Sequence, residues 1–232
     1  MRLFYITPFI LQGLIWLPTR MALSVFGRLE IRGLHNLKKV HENVIFASNH
    51  TSELDVFVIA SSVPFWSHFS PLYFASRENK FYDSSGWRRH LYGGTIFKLW
   101  GAQPVHAGMH NYEKSLSNHT YLLKDGKSVL LFPEGHITTD GSVQDARGGV
   151  AYLATHVGCT VIPVGISGAY SISLSDFFLR RRKIIVRFGD PIYPEELDIA
   201  VRQDHDTEGA ENVYKREATY IMEKVKEMLG MG

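Results

Sequence analysis

The sequence predicts a single α/β domain with a mixed sheet, preceded by a hydrophobic helical segment. Short apolar runs typical of buried strands, at residues 44–47, 128–132 and 161–166, recur between stretches with helical periodicity. The 232 residues are 45% hydrophobic and 21% charged, which is enough apolar material for a substantial core. No internal repeat, linker or second domain boundary interrupts the chain, so we expect one domain over residues 29–232.

The composition argues against several classes of function. A net charge of +2 does not indicate a nucleic-acid partner. The single cysteine, Cys159, excludes an internal disulfide and a multi-cysteine metal site, and its strand-like surroundings favour a buried structural thiol. The eleven histidines are scattered without the spacing of metal ligands, so no metal site is predicted.

The hydrophobic segment covers residues 1–28. Residues 3–19 carry no charge but are interrupted by prolines and are too short to span a bilayer. A second apolar stretch at residues 21–26 follows Arg20, which suggests two short helices joined near Pro18. Apolar helices flanked by arginines favour contact with a membrane interface. The alternative is a helix pair that packs on the core of the domain.

The first informative motif follows the strand at residues 44–47. Ser52 with Asp55 three positions later approximates a capping box, so a helix is expected to begin there. His50 then lies at the exposed end of a strand, where ligands of open α/β sheets bind, and Asp55 lies in the first turn of the helix. A histidine oriented by a carboxylate can act as a general base. The alternative is a loop histidine beside a helix cap.

A second motif follows the strand at residues 128–132. The carboxylate of Glu134 stands between Pro133 and Gly135, and therefore in a sharp turn at a strand end. The next strand, at residues 161–166, contains Pro163, which predicts an edge strand or a bulge.

The remaining elements are assigned from periodicity and turn residues. Two more strands are expected at residues 29–32 and 72–76, helices at 111–123, 149–154 and 214–229, and a solvated acidic loop at 195–211. Residues 177–179 are apolar and precede the basic run Arg180-Arg181-Arg182-Lys183. That combination indicates either a second membrane contact or an exposed loop before a strand at residues 184–188.

These motifs together resemble a known family. Asn49-His50-(four residues)-Asp55, then Phe132-Pro133-Glu134-Gly135, then Val161-Ile162-Pro163-Val164 occur in the order and at roughly the spacing of the glycerolipid acyltransferases. The type member of that family makes phosphatidic acid from lysophosphatidic acid. The resemblance covers about residues 29–190, and a hydrophobic N-terminal segment is also typical of the family.

The resemblance implies acyl transfer from acyl-CoA or acyl carrier protein to a hydroxyl of a lysophospholipid or related lipid, with the thioester as co-substrate and no other cofactor. His50 would be the general base and Asp55 would hold it in place. Backbone N–H groups near Ser52 would stabilise the oxyanion. The implied substrate-binding residues are Asn49, Ser52, Phe132, Pro133, Glu134, Gly135, Arg147 and Pro163. The implied location is the cytoplasmic face of a membrane, with the protein bound to the surface and not crossing the bilayer.

The sequence departs from the family pattern at two positions. Ala107 and Ile137 stand where the family usually carries arginines that grasp the acceptor phosphate. Lysophosphatidic acid is therefore one candidate acceptor beside another lysophospholipid, an ornithine-type lipid, a glycolipid or another hydroxyl compound. A lipid-binding or scaffold protein without turnover and a thioesterase remain as alternative functions.

Overall fold

A mixed sheet with helices on both faces organises the protein. The computed structural model describes residues 3–76, 95–106, 111–202 and 210–230. Within them the strands are β1 Glu30–Arg32, β2 Ile45–Ser48, β3 Tyr73–Ser76, β4 Ala102–Pro104, β5 Val129–Leu131, β6 Val161–Ser167 and β7 Ile185–Phe188. The helices are α1 Leu3–Val25, α2 Asp55–Ser62, α3 Thr95–Leu99, α4 Tyr112–Ser115, α5 Ser117–Lys124, α6 Gly149–Val157, α7 Leu174–Phe178, α8 Pro194–Arg202 and α9 Ala210–Gly230, with a short 3₁₀ helix at Asn36–Lys39.

The strand order is β1-β7-β6-β2-β5-β3-β4. All neighbouring strands are parallel except β6 and β7, so β1 and β7 run against the other five. Strands β2 and β5 are neighbours, with Ala47 opposite Leu131. Their carboxyl ends therefore meet at one edge of the sheet, which brings the two sequence motifs together.

Side chains alternate between the two faces of the sheet, as strand geometry requires. Ile45 and Ala47 of β2 join a buried cluster that packs under α6 and α9. Phe46 lies in the opposite cluster, with residues of α1 and α2. Each strand in the centre of the sheet thus contributes to two cores. The predicted mixed α/β sheet is confirmed.

The N-terminal segment forms one helix, so the prediction of two helices joined near Pro18 is wrong. Pro8 and Pro18 both lie inside α1. A proline normally breaks a helix because it removes one hydrogen bond and crowds the preceding turn. Here α1 continues because its side chains are bound to the domain on both sides of Pro18. No helix within the described ranges has the length and apolar character needed to cross a membrane.

One face of α1 is attached to the domain through polar groups. The Gln12 side-chain amide donates to the carbonyls of Leu72 and Trp100 (both 2.8 Å) and accepts from the Leu72 N–H (2.9 Å). One and two turns later, Trp16 Nε1 donates to the Val63 carbonyl and Arg20 Nη1 donates to the Ser61 carbonyl (3.0 Å each). Side chains spaced by four residues share a helix face. The polar face of α1 therefore points inward.

The other face of α1 is apolar and exposed. Its solvent-facing side chains are Ile6, Phe9, Ile10, Leu14, Leu17, Met21 and Val25. Their spacing of three or four residues makes a continuous stripe. A helix at a protein surface normally has the opposite arrangement, with its apolar side against the core. The N-terminal segment thus packs on the domain, as in the alternative that the sequence left open, but as one helix with an exposed apolar surface.

Three further helix assignments differ from the sequence-based expectations. Helix α2 begins at Asp55 rather than at Ser52. The helix expected over residues 111–123 is divided at Leu116 into α4 and α5. The acidic stretch expected to be a loop contains α8, which starts with Pro194, has glutamates in its first turn and buries Leu197 completely. Proline and acidic residues suit a helix N-terminus. The burial of Leu197 then holds this helix on the domain, although most of its residues are polar.

The strand that contains Pro163 is central, so the prediction of an edge strand or bulge is wrong. Strand β6 pairs with β2 on one side and with β7 on the other. The antiparallel register ends at Val164 opposite Phe188, and the Gly189 N–H donates to the Pro163 carbonyl (2.8 Å). Proline has no N–H to donate to a neighbouring strand. Pro163 is tolerated because its nitrogen faces the side of β7, which has already ended at Phe188.

The other assigned elements are confirmed within a few residues. They are β1, β2, β3, β5, α6 and α9, together with β7 after the basic run. Cys159 is buried, its thiol donates to the Asn43 carbonyl (3.3 Å), and burial raises its pKa to about 12. The interpretation of Cys159 as a structural thiol is therefore confirmed.

A buried histidine on α5 makes stability depend on pH. His119 is completely buried, and neither ring nitrogen has a hydrogen-bond partner among the described residues. Burial lowers its pKa to about 4, so the folded state binds its proton less readily than the unfolded state does. As the pH falls from 6.5 to 4, the unfolded state takes up a proton that the folded state does not, so the free energy of unfolding should fall by about 3 kcal/mol. Well above pH 6.5 the histidine is neutral in both states and has no such effect.

We expect His119→Leu to reduce the loss of stability on acidification, measured as the urea unfolding free energy at pH 7 and pH 5. The exposed histidine variant His41→Leu is the control and should keep the wild-type pH dependence. Equal pH dependence in His119→Leu and wild type would contradict the assignment.

Candidate active site

His50 lies directly after β2, at the carboxyl edge of the sheet. The residue before it, Asn49, fixes the exit of the strand: its amide donates to the Ile166 carbonyl (2.9 Å) and accepts from the Ile166 N–H (2.8 Å). Because Asn49 is buried and both amide groups are used on β6, its place favours a structural role over the expected substrate contact.

The predicted pairing of His50 with Asp55 is present. His50 Nδ1 lies 3.0 Å from Asp55 Oδ2. A carboxylate only accepts, so this hydrogen bond assigns the proton to Nδ1 and leaves the Nε2 lone pair free to accept one. The His50 side chain is 18% exposed, whereas that of Asp55 is fully buried. The pair therefore has the arrangement of a base and its orienting acid.

Asp55 is held by the loop that it follows. Its carboxylate accepts from the backbone N–H and the hydroxyl of Thr51 and from the backbone N–H and the hydroxyl of Ser52, besides His50. These donors balance the cost of burying the carboxylate. They also occupy the N–H groups of Thr51 and Ser52, so these two groups are not available to stabilise an oxyanion. Ser52 supports Asp55 instead.

The imidazole is also fixed by a ring from the neighbouring strand. Phe132, which follows β5, stacks on His50 with centroids 3.9 Å apart and planes inclined by 14°. Together with the Asp55 bond, this contact restricts rotation of the imidazole about its side-chain torsions. A partly exposed base with one orientation is suited to accept a proton from a bound molecule.

Glu134 bridges two segments of backbone. Its Oε1 accepts from the His50 N–H (2.8 Å) and its Oε2 accepts from the Gln144 N–H (2.9 Å). The residue is only 1% exposed, and burial raises the pKa of its carboxyl despite these two bonds. Both oxygens point at the protein. The position favours a role in placing His50 over the expected contact with an acceptor.

The loop after Glu134 is stabilised by its own polar groups. The Thr138 N–H donates to the His50 carbonyl (2.9 Å). Asp140 accepts from Ser142, Thr138 and Gln144, and the bonds from Ser142 and Thr138 lower its pKa to about 2. Asp140 and Gln144 were not among the residues predicted from the sequence, although Asp140 directly before Gly141 is a recognisable turn signal.

Arg147 lies beside the Pro133–Glu134–Gly135 turn. Its N–H donates to the Pro133 carbonyl (2.8 Å), and its side chain passes so close to Gly135 that a Cβ there would lie 2.9 Å from Nε. Gly135 also has φ +73°, which a residue with a side chain rarely adopts. Glycine is thus required twice at this position, and Arg147, which is exposed, brings a cation to the turn.

The remaining expected site residues lie apart or outside the described ranges. Pro163 is buried within β6, and its ring packs against Gly189, close to Met228 of α9. Ile137 is half-buried in the loop after Glu134, and Ala107 lies outside the described residues. Within residues 3–76, 95–106, 111–202 and 210–230, no three potential ligands are grouped as a metal site would require.

Comparisons with known proteins show which family the chain resembles. The family model described as Acyltransferase matches residues 28–167. A chloroplastic 1-acyl-sn-glycerol-3-phosphate acyltransferase of Arabidopsis thaliana is 25% identical over 177 residues, which are 75% of this chain and 46% of that protein. A chloroplastic enzyme of the same name from Brassica napus is also 25% identical, over 75% of this chain and 48% of its own length. The chain thus spans about half the length of these relatives.

A solved structure shares the fold. The crystal structure of the 1-acyl-sn-glycerophosphate acyltransferase PlsC of Thermotoga maritima superposes with a TM-score of 0.59 at 18% identity, over 95% of this chain and 80% of that one. The matched family segment contains β2, the His50–Asp55 pair, the Glu134 turn and β6. Since that match covers more than half of the sequence, the chain belongs to the glycerolipid acyltransferase family.

Proposed function

We propose that the protein transfers a fatty acyl group from a thioester, acyl-CoA or acyl carrier protein, to a hydroxyl of a lysophospholipid or related lipid. The observation that carries this proposal is the His50–Asp55 pair, fixed at the carboxyl edge of the sheet with one imidazole nitrogen free. Membership of the acyltransferase family supports the reaction class, and the names of the relatives support a lysolipid acceptor.

The proposed reaction needs no covalent acyl-enzyme. His50 Nε2 takes the proton of the acceptor hydroxyl as its oxygen attacks the thioester carbonyl, and Asp55 stabilises the imidazolium that forms. When the tetrahedral intermediate collapses, the new C–O bond remains, the C–S bond breaks, and the imidazolium returns its proton to the leaving sulfur. The base is thereby ready for the next cycle.

The proposed acceptor follows from the names of the relatives and from the positive charge of Arg147 beside the site. Lysophosphatidic acid is the first candidate, because the relatives are named for that acceptor. Arg147 supplies a cation at the turn that adjoins His50, and a guanidinium can bind a phosphate through two hydrogen bonds. Ile137 stands where the family usually carries an arginine, so Arg147 is assigned a larger share of phosphate binding here.

A membrane contact through α1 belongs to the same proposal. The helix uses its polar groups to bind the domain, which leaves the stripe of apolar side chains facing outward. Burying that stripe in the interfacial region of a bilayer removes it from water without crossing the membrane. Trp66, which is also exposed, lies next to Phe65, a residue that packs against Phe9 and Trp16 of α1.

We expect His50→Ala to lower kcat about 10²- to 10⁴-fold with the fold intact, because the general base is removed. Asp55→Asn should also lose activity through the wrong imidazole tautomer. Thiol release from acyl-CoA with a panel of lysolipids, with the acylated product identified by mass, measures both.

His41→Ala, at an exposed histidine, is the control for these variants. Wild-type turnover in His50→Ala would remove the proposed base. Thiol release by the wild type without an acylated lipid would favour a thioesterase, and no thiol release with any acceptor would favour a binding protein.

Glu134→Gln is expected to lower kcat by about 10²-fold while the acceptor KM changes little. The amide can accept only one of the two backbone N–H bonds, so His50 shifts from its place. The measurement is the separate kcat and KM for the acceptor, with Glu42→Gln as an exposed control. An increase confined to KM would instead assign Glu134 to acceptor binding.

The double variant Leu14→Ser/Leu17→Ser should bind phosphatidylcholine vesicles more weakly, because it removes two side chains from the outward stripe of α1. Its thermal unfolding should stay near that of the wild type, since both side chains are exposed. Vesicle co-sedimentation gives the binding. The control Tyr121→Ser/Ile199→Ser changes two exposed apolar side chains on α5 and α8. Equal binding by both variants would contradict the contact.

A further inference from the structure

The short helix α7 presents an apolar surface that no described residue covers. Ser173 caps the helix: its hydroxyl accepts from the Asp176 N–H (3.0 Å), and the Asp176 carboxylate accepts from the Ser173 N–H (3.4 Å). This box fixes a helix whose apolar side chains, apart from the partly buried Phe177, face solvent. Leu174, Phe178 and Leu179 are 78%, 58% and 61% exposed. We call these three residues the α7 tip.

The α7 tip is continuous with α1. The Phe26 ring, just past the end of α1, packs against Phe177 (5.9 Å between centroids) and edge-on against Phe178 (5.2 Å). Gly27 permits this approach, because a Cβ there would lie 3.2 Å from the Phe177 ring. The outward stripe of α1 ends at Val25, next to this aromatic contact. The two apolar surfaces are therefore held in a fixed relation to each other.

A run of four basic residues follows the α7 tip. Lys183 forms an ion pair with Glu30, and Arg181 Nη1 lies 3.7 Å from Asp176. Arg182 Nη1 donates to the Tyr170 carbonyl (2.8 Å). Among the described residues, no carboxylate forms an ion pair with Arg180. Four cations thus face two carboxylates, and the excess positive charge adjoins the exposed apolar side chains.

We propose that the α7 tip and Arg180–Lys183 form a second membrane contact, one that prefers anionic lipids. The inference rests on the proposed membrane contact of α1 and extends it. The apolar side chains enter the interfacial region, and the arginines bind negatively charged head groups at the same level. Charge complementarity selects an anionic bilayer over a neutral one. Continuity with the stripe of α1 selects a bilayer over a separate protein partner.

The proposal is tested by co-sedimentation of the full chain with two kinds of vesicle, phosphatidylcholine alone and phosphatidylcholine mixed with phosphatidylglycerol. The wild type should bind the mixed vesicles more tightly, and added salt should reduce that difference. Arg180→Gln/Arg181→Gln should weaken binding to the mixed vesicles about 10- to 30-fold and leave binding to phosphatidylcholine unchanged. Leu174→Ser/Leu179→Ser should weaken binding to both.

The matched control is Lys124→Gln/Lys226→Gln. It removes the same charge from α5 and α9, on the opposite face of the sheet, and should keep the wild-type preference. Equal loss of preference in this control would assign the effect to net charge and overturn the proposal. So would wild-type binding by both α7 variants, or a dimer in lipid-free solution that Leu174→Ser/Leu179→Ser abolishes without changing vesicle binding.

The outcome is separable from the other proposals. Acyl transfer in detergent micelles should be unchanged in the α7 variants, since these residues are not part of the His50 site. If Leu14→Ser/Leu17→Ser weakens vesicle binding and the α7 variants do not, the contact of α1 stands and the second contact is overturned. If the wild type binds neither kind of vesicle, both membrane contacts are overturned while the assay of His50 is unaffected.

Discussion

The buried carboxylate of Asp55 is the interaction on which the site depends. An isolated carboxylate costs several kcal/mol to bury, and here it is matched by five hydrogen bonds, four of them from Thr51 and Ser52. Those four bonds close the loop between β2 and α2 into one conformation. The fifth fixes the orientation and tautomer of His50. A single charge therefore determines both the backbone of the loop and the chemistry of the imidazole.

The sheet supplies a second constraint from the neighbouring strand. Because β5 runs parallel to β2, the turn after β5 arrives beside His50, where Phe132 stacks on the ring and Glu134 accepts from the backbone. His50 is thus held through its side chain by one carboxylate and through its main chain by another. Neither carboxylate faces solvent. This division explains how a site can contain two acids and leave only the imidazole accessible.

The sequence was sufficient for the elements whose local pattern and tertiary contacts agree. The strand before His50 and the five-residue interval to Asp55 predicted the hydrogen-bonded pair, since both follow from local geometry. Glu134 was placed correctly at the edge of the sheet, but its direction depends on the Gln144 N–H ten residues later. Tertiary contacts also explain why α8 forms, since the buried Leu197 holds it on the domain. They likewise explain why β6 can contain Pro163, since β7 ends beside it. Composition does not contain that information.

The polarity of α1 connects the active site to the proposed membrane surface. Its Trp16 and Arg20 side chains donate to the carbonyls of Val63 and Ser61, at the C-terminal end of α2. Such carbonyls lack partners within the helix, and a cation there also interacts favourably with the helix dipole. The first residue of the same helix is Asp55. Eight residues of helix, about 12 Å, therefore separate the orienting carboxylate from α1. A rigid spacer of that length would hold the base at a constant depth relative to the lipid surface, where a thioester and a lysolipid, both with long apolar chains, can meet without either leaving the interface.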